Sequence, residues 1–370
     1  MLENPGRRIF KMAKILVAPL NWGLGHATRD IPIIKELLAR KHDVTIATSG
    51  RALELLKREF PKCKFIDFPD YPAQYPKSSL FVTNMTLRLP SILKSISREK
   101  RIAKDIIKKG RFDLVISDNR FGVYHEDVPS YFISHQLTFK LPKPLKRAEK
   151  LMKWFNSYNH LYFDGIIVPD FASDENLSGE LSHFEKRKKR VYYAGILSSV
   201  TKKNVKEDID YLFLISGPEP QRTELERIIR EQVHMIKGKK IVLLGKPESE
   251  SKEVLDDGTI VLSHASRKKI AELMNRAKFI IARSGYTTVM EIAELRKKAL
   301  FIPTPGQTEQ EYLSEYYEKK GFFHSVSQYK LDLAKDIEIA KKFSGFGKIR
   351  STKENVKLLY DNIFRKHLDC

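Results

Sequence analysis

Residues 14–42 read KILVAPLNWGLGHATRDIPIIKELLARKH. The apolar run KILVAPL is followed by a turn containing Gly23 and Gly25, and then by apolar residues at helical spacing from Ile31 onward. This is a strand, a sharp turn and a helix, the repeating unit of a parallel sheet with helices on its faces. Outward from this stretch the alternation continues. Strands are expected at DVTIATS, KFIDFP, FDLVISD, SYFISH and GIIVPD, with helical stretches between several of them. After VYYAGIL the pattern restarts with YLFLIS, KKIVLLG, TIVLSH, KFIIARS and ALFIPTP, separated by the helical segments TELERIIREQ, RKKIAELMNRA, YTTVMEIAELR and EQEYLSEYYEKK. The reading is an α/β fold of two Rossmann-like, doubly wound domains facing across a cleft.

A length of 370 residues exceeds one ordinary core and suits two domains of about 150 to 200 residues. The polar stretch SSVTKKNVKEDID marks the boundary, giving a first domain over 1–198 and a second over 199–349. The terminal segment 350–370 carries a helical pattern with no strand after it, and its expected place is back against the first domain. The apolar part of the amino terminus is short and runs into the glycine turn, so it reads as a strand and not as a signal peptide. With no long apolar stretch, the expected location is the cytoplasm. Cys63 and Cys370 stand far apart with no metal-ligand spacing, which argues against a disulfide framework or a zinc site. A net charge of +21 favours a polyanionic partner: nucleic acid, an anionic membrane or a phosphorylated substrate.

The GLGH turn lacks the third glycine of the dinucleotide fingerprint, Thr28 standing in its place, and TIATSG ends the second strand without Asp or Glu. Nicotinamide and flavin binding are therefore disfavoured. His26, at a helix start, is expected to stay uncharged near neutrality, as a general base must. Arg29 lies about one turn further on, to meet a phosphate or to pair with a carboxylate.

In the second domain, ARSGYTTVMEIAEL at 282–295 is again strand end, small-residue loop and helix. The amides of Ser284, Gly285 and Tyr286 and the hydroxyls of Thr287 and Thr288 surround an anion site. Glu291 falls on the same helix face, about 5 to 6 Å along the axis, where it either accepts ribose hydroxyl protons or is a solvated helix residue. The loop IPTPGQTEQEYL carries Gln307, Glu309, Gln310 and Glu311, a composition suited to sugar hydroxyls, although a cap formed by Thr308 with Glu311 explains part of it equally well. A third loop, LISGPEPQRTELE, offers Ser216 and Gly217 to a phosphate, with Arg222 adding charge or lying on the surface.

Taken together, GLGHATR, RSGYTTVMEI and IPTPGQTEQEYL resemble the MurG-type glycosyltransferases of GT-B architecture, in order and over nearly the whole chain. The resemblance implies a UDP-sugar held mainly by the second domain and a lipid-linked acceptor held by the first. It implies that Glu291 binds the ribose, that Ser216, Gly217, Ser284 and Gly285 line the nucleotide and phosphates, that Gln310 contacts the sugar, and that His26 is the candidate base. Thr287, Thr288, Arg222, Arg283 and Glu311 join the donor side; Gly23, Gly25, Arg29, Asp118, His135 and Gln136 join the acceptor side. His135 stands where the family has a glutamate, Glu311 where it has a second glutamine, and AGILSS where it has a phosphate-binding arginine after a Gly-Asn-Pro turn, so Arg222 or Arg283 is expected to supply that charge.

The expected activity is inverting transfer of a sugar, an N-acetylhexosamine such as that of UDP-GlcNAc, in cell envelope biogenesis. No metal and no cofactor is expected, since DID at 208–210 falls in the polar linker. NMTLRLPSILKSISREKRIAKDIIKKG and KLPKPLKRAEKLMKWFNSYNHLYF mix Lys and Arg with Leu, Ile, Trp154, Phe155 and Tyr158, as expected of peripheral docking on an anionic membrane surface or of ordinary amphipathic helices. Two rivals stand beside this reading. GLGHATRD also resembles the loop of PseG-type UDP-sugar hydrolases, in which His26 would activate water. A nucleic-acid binder is supported by charge alone, with no recognition motif, and is set aside.

Overall fold

The computed structural model describes residues 12–71, 81–138, 148–183, 190–246 and 250–368, together with Lys140 and Lys146; for 81–90 it describes the backbone. The first sheet contains β1 (Lys14–Pro19), β2 (Asp43–Thr48), β3 (Lys64–Asp67), β4 (Leu114–Asp118), β5 (Ser130–Ile133), β6 (Gly165–Val168) and β7 (Val191–Tyr193). Its order is β3-β2-β1-β4-β5-β6-β7 and every pairing is parallel. Its helices are α1 (Gly25–Ala39), α2 (Gly50–Glu59), α3 (Phe81–Gly110) and α4 (Ala148–His160).

The second sheet contains β8 (Ile209–Leu214), β9 (Lys240–Leu243), β10 (Lys252–Val254), β11 (Ile260–Leu262), β12 (Ala277–Ala282), β13 (Lys298–Phe301) and β14 (His324–Ser325). Its order is β10-β11-β9-β8-β12-β13-β14, with β10 alone antiparallel among the described strands. Around it lie α5 (Gln221–Gln232), α6 (Arg267–Arg276), α7 (Tyr286–Leu295), α8 (Thr308–Lys320) and α9 (Leu333–Ala340). The central strands β1, β4 and β12 are largely apolar and buried on both faces, as parallel sheets covered by helices require, while β8 is partly buried.

In each sheet the strand order reverses once at the centre, between β1 and β4 in the first and between β8 and β12 in the second. Loops at the carboxyl ends of strands splay apart at such a point and leave a crevice. The two crevices face each other: α1 packs against α7, and a Cβ added at Gly25 would lie 2.7 Å from Thr287 Oγ1. This is the two-domain GT-B arrangement. Further contacts close the lobes, with Tyr286, Tyr316 and Tyr317 donating hydroxyl protons to the carbonyls of Pro169, Asn176 and Leu177.

Two details depart from the sequence reading. Asp208 and Asp210 are not free linker residues: β8 begins at Ile209, and both aspartates are ion-paired, with Arg276 and Lys239 and with Lys278 respectively. Strands β10 and β14 and helix α9 were not foreseen, the strands being three and two residues long and carrying no alternation to read. The final segment, α10 (Thr352–Leu359), a π-turn (Tyr360–Phe364) and α11 (Arg365–Leu368), packs against α1 of the first domain and is also tied to α7 of the second, Thr352 Oγ1 donating to Glu294 Oε2 at 2.9 Å. His42 Nε2 meets Tyr360 Oη at 2.8 Å and Tyr131 Oη meets His367 Nε2 at 2.9 Å.

Candidate active site

On the first-domain side, Gly23 takes a left-handed conformation (φ 80°) that turns the chain from β1 into α1. His26 is thereby placed in the first turn of α1, opposite Asp118 at the last position of β4. His26 Nδ1 lies 2.7 Å from Asp118 Oδ1. Asp118 is fully buried and also receives Arg29, through Nε to Oδ2 at 2.6 Å and through Nη2 to Oδ1. Arg29 Nη2 also stands 3.0 Å from His26 Nδ1. A guanidinium only donates, so the shorter contact to the carboxylate places the imidazole proton on Nδ1 and leaves the Nε2 lone pair for a substrate proton.

Burial keeps His26 below its ordinary value of 6.5, with Asp118 pulling the other way and Arg29 adding to the depression. The imidazole is therefore the uncharged species required of a base, and the larger cause is desolvation. Burial alone would raise Asp118, but Arg29 and His26 outweigh it and hold that carboxyl well below the carboxylate range. Arg29 thus pairs with a carboxylate, the second of the two roles open to it.

Arg29 also reaches the turn after β5 in its own lobe, which carries the network to the second domain. Its Nη1 lies 2.9 Å from His135 Nδ1, so His135 carries its proton on Nε2 and donates it to Glu309 Oε1 at 2.9 Å. His135 also stacks on Tyr286, the first residue of α7, with centroids 4.1 Å apart and planes 5° from parallel. Gln136 follows in the same turn, its amide held by Ser134 Oγ at 3.1 Å. His26, Asp118, Arg29, His135 and Glu309 form one continuous network across the cleft. Glu309 was read only as part of a sugar loop, because its partner is 174 residues away in the chain.

The second-domain side is built from the loops after β8, β12 and β13. Ser216 and Gly217 are exposed, and Gly217 has a φ of 119°. Gly285 caps α7 through its backbone, leaving the first amides of the helix, with Thr287 and Thr288, at the cleft. Ser284 is buried and donates to the carbonyl of Gln310 at 3.0 Å. The side chain of Gln310 is held within its own loop by Thr304 N at 2.9 Å and by Gln307. Thr308 and Glu311 form no cap: Gln307 is the N-cap residue without a side-chain bond, and Glu311 accepts from Gly306 N at 2.9 Å.

The two arginines expected to supply phosphate charge are both committed to protein groups. Arg222 is held by Glu219 and donates to Leu244 O at 3.3 Å. Arg283 is buried and spreads its donors over the carbonyls of Ser216, Gln221, Ile302 and Pro303 and over Gln328 Oε1. Among the described residues no carboxylate pairs with it, and burial lowers it to about 10. It therefore acts as a clamp that joins the three loops and places an uncompensated positive charge behind them. Glu291 is not solvated. Its Oε1 accepts from Arg267, the first residue of α6, which also donates to Ser199 Oγ at 2.9 Å. This partner is 24 residues upstream on another helix and left no local signal.

Beside the GLGH turn, a cavity of about 270 Å³ is lined by Pro69, Asp70, Tyr71, Ser95, Arg98 and Glu99. Buried Arg120 holds its floor through Glu99 at 2.9 Å and the Pro69 carbonyl at 2.9 Å.

Fold and site together define a two-domain α/β protein of GT-B architecture. Comparison with known proteins carries the assignment further, since residues 215–356 match the Glycosyltransferase family 28 C-terminal domain. An uncharacterized glycosyltransferase of Methanosarcina acetivorans is 28% identical over 169 residues, 43% of this chain and 42% of that protein. Another, from Methanosarcina mazei, is 22% identical over 334 residues, 85% of this chain and 86% of that one. Among solved structures, the glycotransferase of kitacinnamycin superposes with a TM-score of 0.63 at 13% identity, covering 97% of this chain and 100% of its own. The spinosyn rhamnosyltransferase SpnG with thymidine diphosphate gives 0.60 at 12%, covering 95% and 96%. Acinetobacter baumannii MurG gives 0.56 at 11%, covering 94% and 99%. At these identities the structural likeness establishes the fold. The family match and the named relatives support glycosyl transfer as the chemistry and do not favour hydrolysis; MurG is one neighbour among several.

Proposed function

We propose that this chain transfers a sugar from a UDP-sugar to a hydroxyl of a membrane-associated, lipid-linked acceptor, with inversion and without a metal. The observation that carries the reading is the His26–Asp118 pair, its Nε2 without a hydrogen-bond partner among the described residues, facing the amino terminus of α7 across a gap so narrow that a Cβ added at Gly25 would lie 2.7 Å from Thr287 Oγ1. In the reaction, His26 Nε2 takes the acceptor O–H proton while that oxygen attacks the anomeric carbon. The bond from that carbon to the diphosphate oxygen breaks, and its electron pair leaves with UDP. The resulting imidazolium is neutralised by Asp118. The departing negative charge meets the free amides of α7 and the buried charge of Arg283. Glu291 has one carboxylate oxygen engaged by Arg267, which orients the other toward a ribose. An N-acetylhexosamine is the donor sugar we favour, and the cavity beside the glycine turn is the acceptor site we favour.

Membrane contact is supported by the face of α4 and the turn after it. Leu151, Trp154, Tyr158, Leu161 and Tyr162 are exposed there, Trp154 at 63%, alongside Lys150 and Lys153. Residues 141–145 and 147 of the basic stretch lie outside the described residues. The location we propose is the cytoplasmic membrane face, consistent with the net charge of +21.

The test is calorimetric titration of UDP and UDP-GlcNAc into wild type, Glu291→Ala and His26→Ala, with a transfer assay on the same samples. Glu291→Ala should lose most binding, and His26→Ala should bind normally without turnover. Thermal stabilisation by GDP- or TDP-sugars but not UDP-sugars would replace the donor, and equal binding loss in both variants would remove His26 from the base role.

A further inference from the structure

Asp30, the residue after Arg29, is wholly buried, and neither of its carboxyl oxygens meets a donor among the described residues. Its neighbour in the dry interior is Asp118, within hydrogen-bonding reach. Asp118 has about four acceptor positions on its two oxygens. Oδ1 receives His26 Nδ1 and Arg29 Nη2, Oδ2 receives Arg29 Nε, and one position on Oδ2 is left open. The donors of Arg29 go to Asp118 and to His135, none of them to Asp30. Two ionised carboxylates would thus sit out of reach of water beside one guanidinium that is bonded to only one of them, an arrangement that drives the other to hold a proton.

We infer that Asp30 is that protonated partner, and that it donates its O–H into the open acceptor position of Asp118 and so sets the basicity of His26. This rests on the reading of His26 as the base. A donor on Asp118 draws charge away from the carboxylate, which then attracts the proton at His26 Nδ1 less strongly. Burial together with the charge of Asp118 pushes Asp30 well above the usual carboxylate range, in keeping with this assignment. The groups facing His26 are Asp118 from β4, Arg29 from α1, His135 after β5 and Glu309 from α8; those facing Asp30 are Asp118 and Arg29. No proton passes through Asp30 during transfer. It is a positioning residue.

The experiment follows the His26 ring by NMR against pH in wild type, Asp30→Asn and Asp30→Leu, without substrate. Asparagine keeps an N–H donor for Asp118, so its titration should overlay wild type. Leucine removes the donor and should move the His26 midpoint upward by about one pH unit. A midpoint unmoved in Asp30→Leu overturns the inference; a lowered melting temperature without that movement marks a merely structural role and overturns it too. Should Asp30→Leu not fold, infrared spectra of wild type and Asp30→Asn with isotope-labelled aspartate decide. A protonated-carboxyl band at neutral pH that disappears in Asp30→Asn supports the pair, and no such band in wild type sinks it. These readouts need no turnover, so a protein inert toward every nucleotide sugar would end the transferase reading and leave this one standing.

Discussion

Gly25→Ala probes the meeting of the two lobes at its narrowest point. Gly25 opens α1 without a left-handed backbone, so alanine there would ordinarily stabilise the helix by about 0.5 to 1 kcal/mol. Here the new Cβ would stand 2.7 Å from Thr287 Oγ1 and 3.6 Å from Thr287 Cβ. With the Thr287 rotamer kept, relief to an ordinary contact needs the amino termini of α1 and α7 to part by about 0.7 Å, and misplacement of that order costs roughly 100-fold in turnover. Thr287→Ala alone removes a hydroxyl from the anion site and should cost about tenfold. With Oγ1 gone the alanine at position 25 fits, so the double variant should also lose about tenfold, where independent effects would multiply to about 1000-fold. The coupling is then about 2.7 kcal/mol in transition-state free energy. The assay is kcat/KM for sugar transfer, with small-angle scattering to report closure. Multiplicative losses, or a fully active Gly25→Ala, would refute the claim that the lobes touch here during catalysis.

The other predictions concern charge and exposure. Because the folded-state value of His26 is depressed, the unfolded chain takes up protons first as pH falls below 6.5, so stability should decline there; the acid limb of kcat/KM should likewise lie below 6.5, and a limb above it would contradict a buried uncharged base. Asp118 is depressed as well, so its contribution is complete at neutral pH and is lost only below 3.8, visible as steeper acid denaturation than in Asp118→Asn. Arg283→Met removes donors from Ser216, Gln221, Ile302 and Pro303 and should lower the melting temperature by roughly 10 °C while weakening UDP binding; unchanged UDP affinity would show that its charge does not reach the diphosphate. Trp154→Ala with Tyr158→Ala should cut sedimentation with anionic vesicles several-fold and leave neutral vesicles unaffected, and equal retention by both vesicle types would count against docking through α4.

What the sequence disclosed were features written within a few neighbouring residues. GLGHATR and RSGYTTV each carry a strand end, glycines and a helix start, and a parallel sheet places such turns at its reversal point, so both sides of the cleft followed from local pattern. Partnerships across the fold were beyond that reach. Asp30 looks like any helix carboxylate until Asp118 is brought under it from 88 positions away. Arg283 looks like a phosphate ligand because its neighbours suit one, yet carbonyl oxygens, which no sequence pattern reveals, take its donors. Glu291 was placed by helix spacing, but spacing along α7 says nothing of Arg267 on α6.

The tail beyond residue 350 has a consequence for how the molecule is made. His42 and Tyr131 belong to the first lobe, and their partners Tyr360 and His367 leave the ribosome only after the strands of the second sheet have been made. The interior of the early lobe is therefore sealed only after the late lobe has been synthesised, so assembly of the two halves is interleaved in time even though their sheets are separate in the chain. A chain stopped at residue 350 would carry every group of the cleft and still present an open flank on α1.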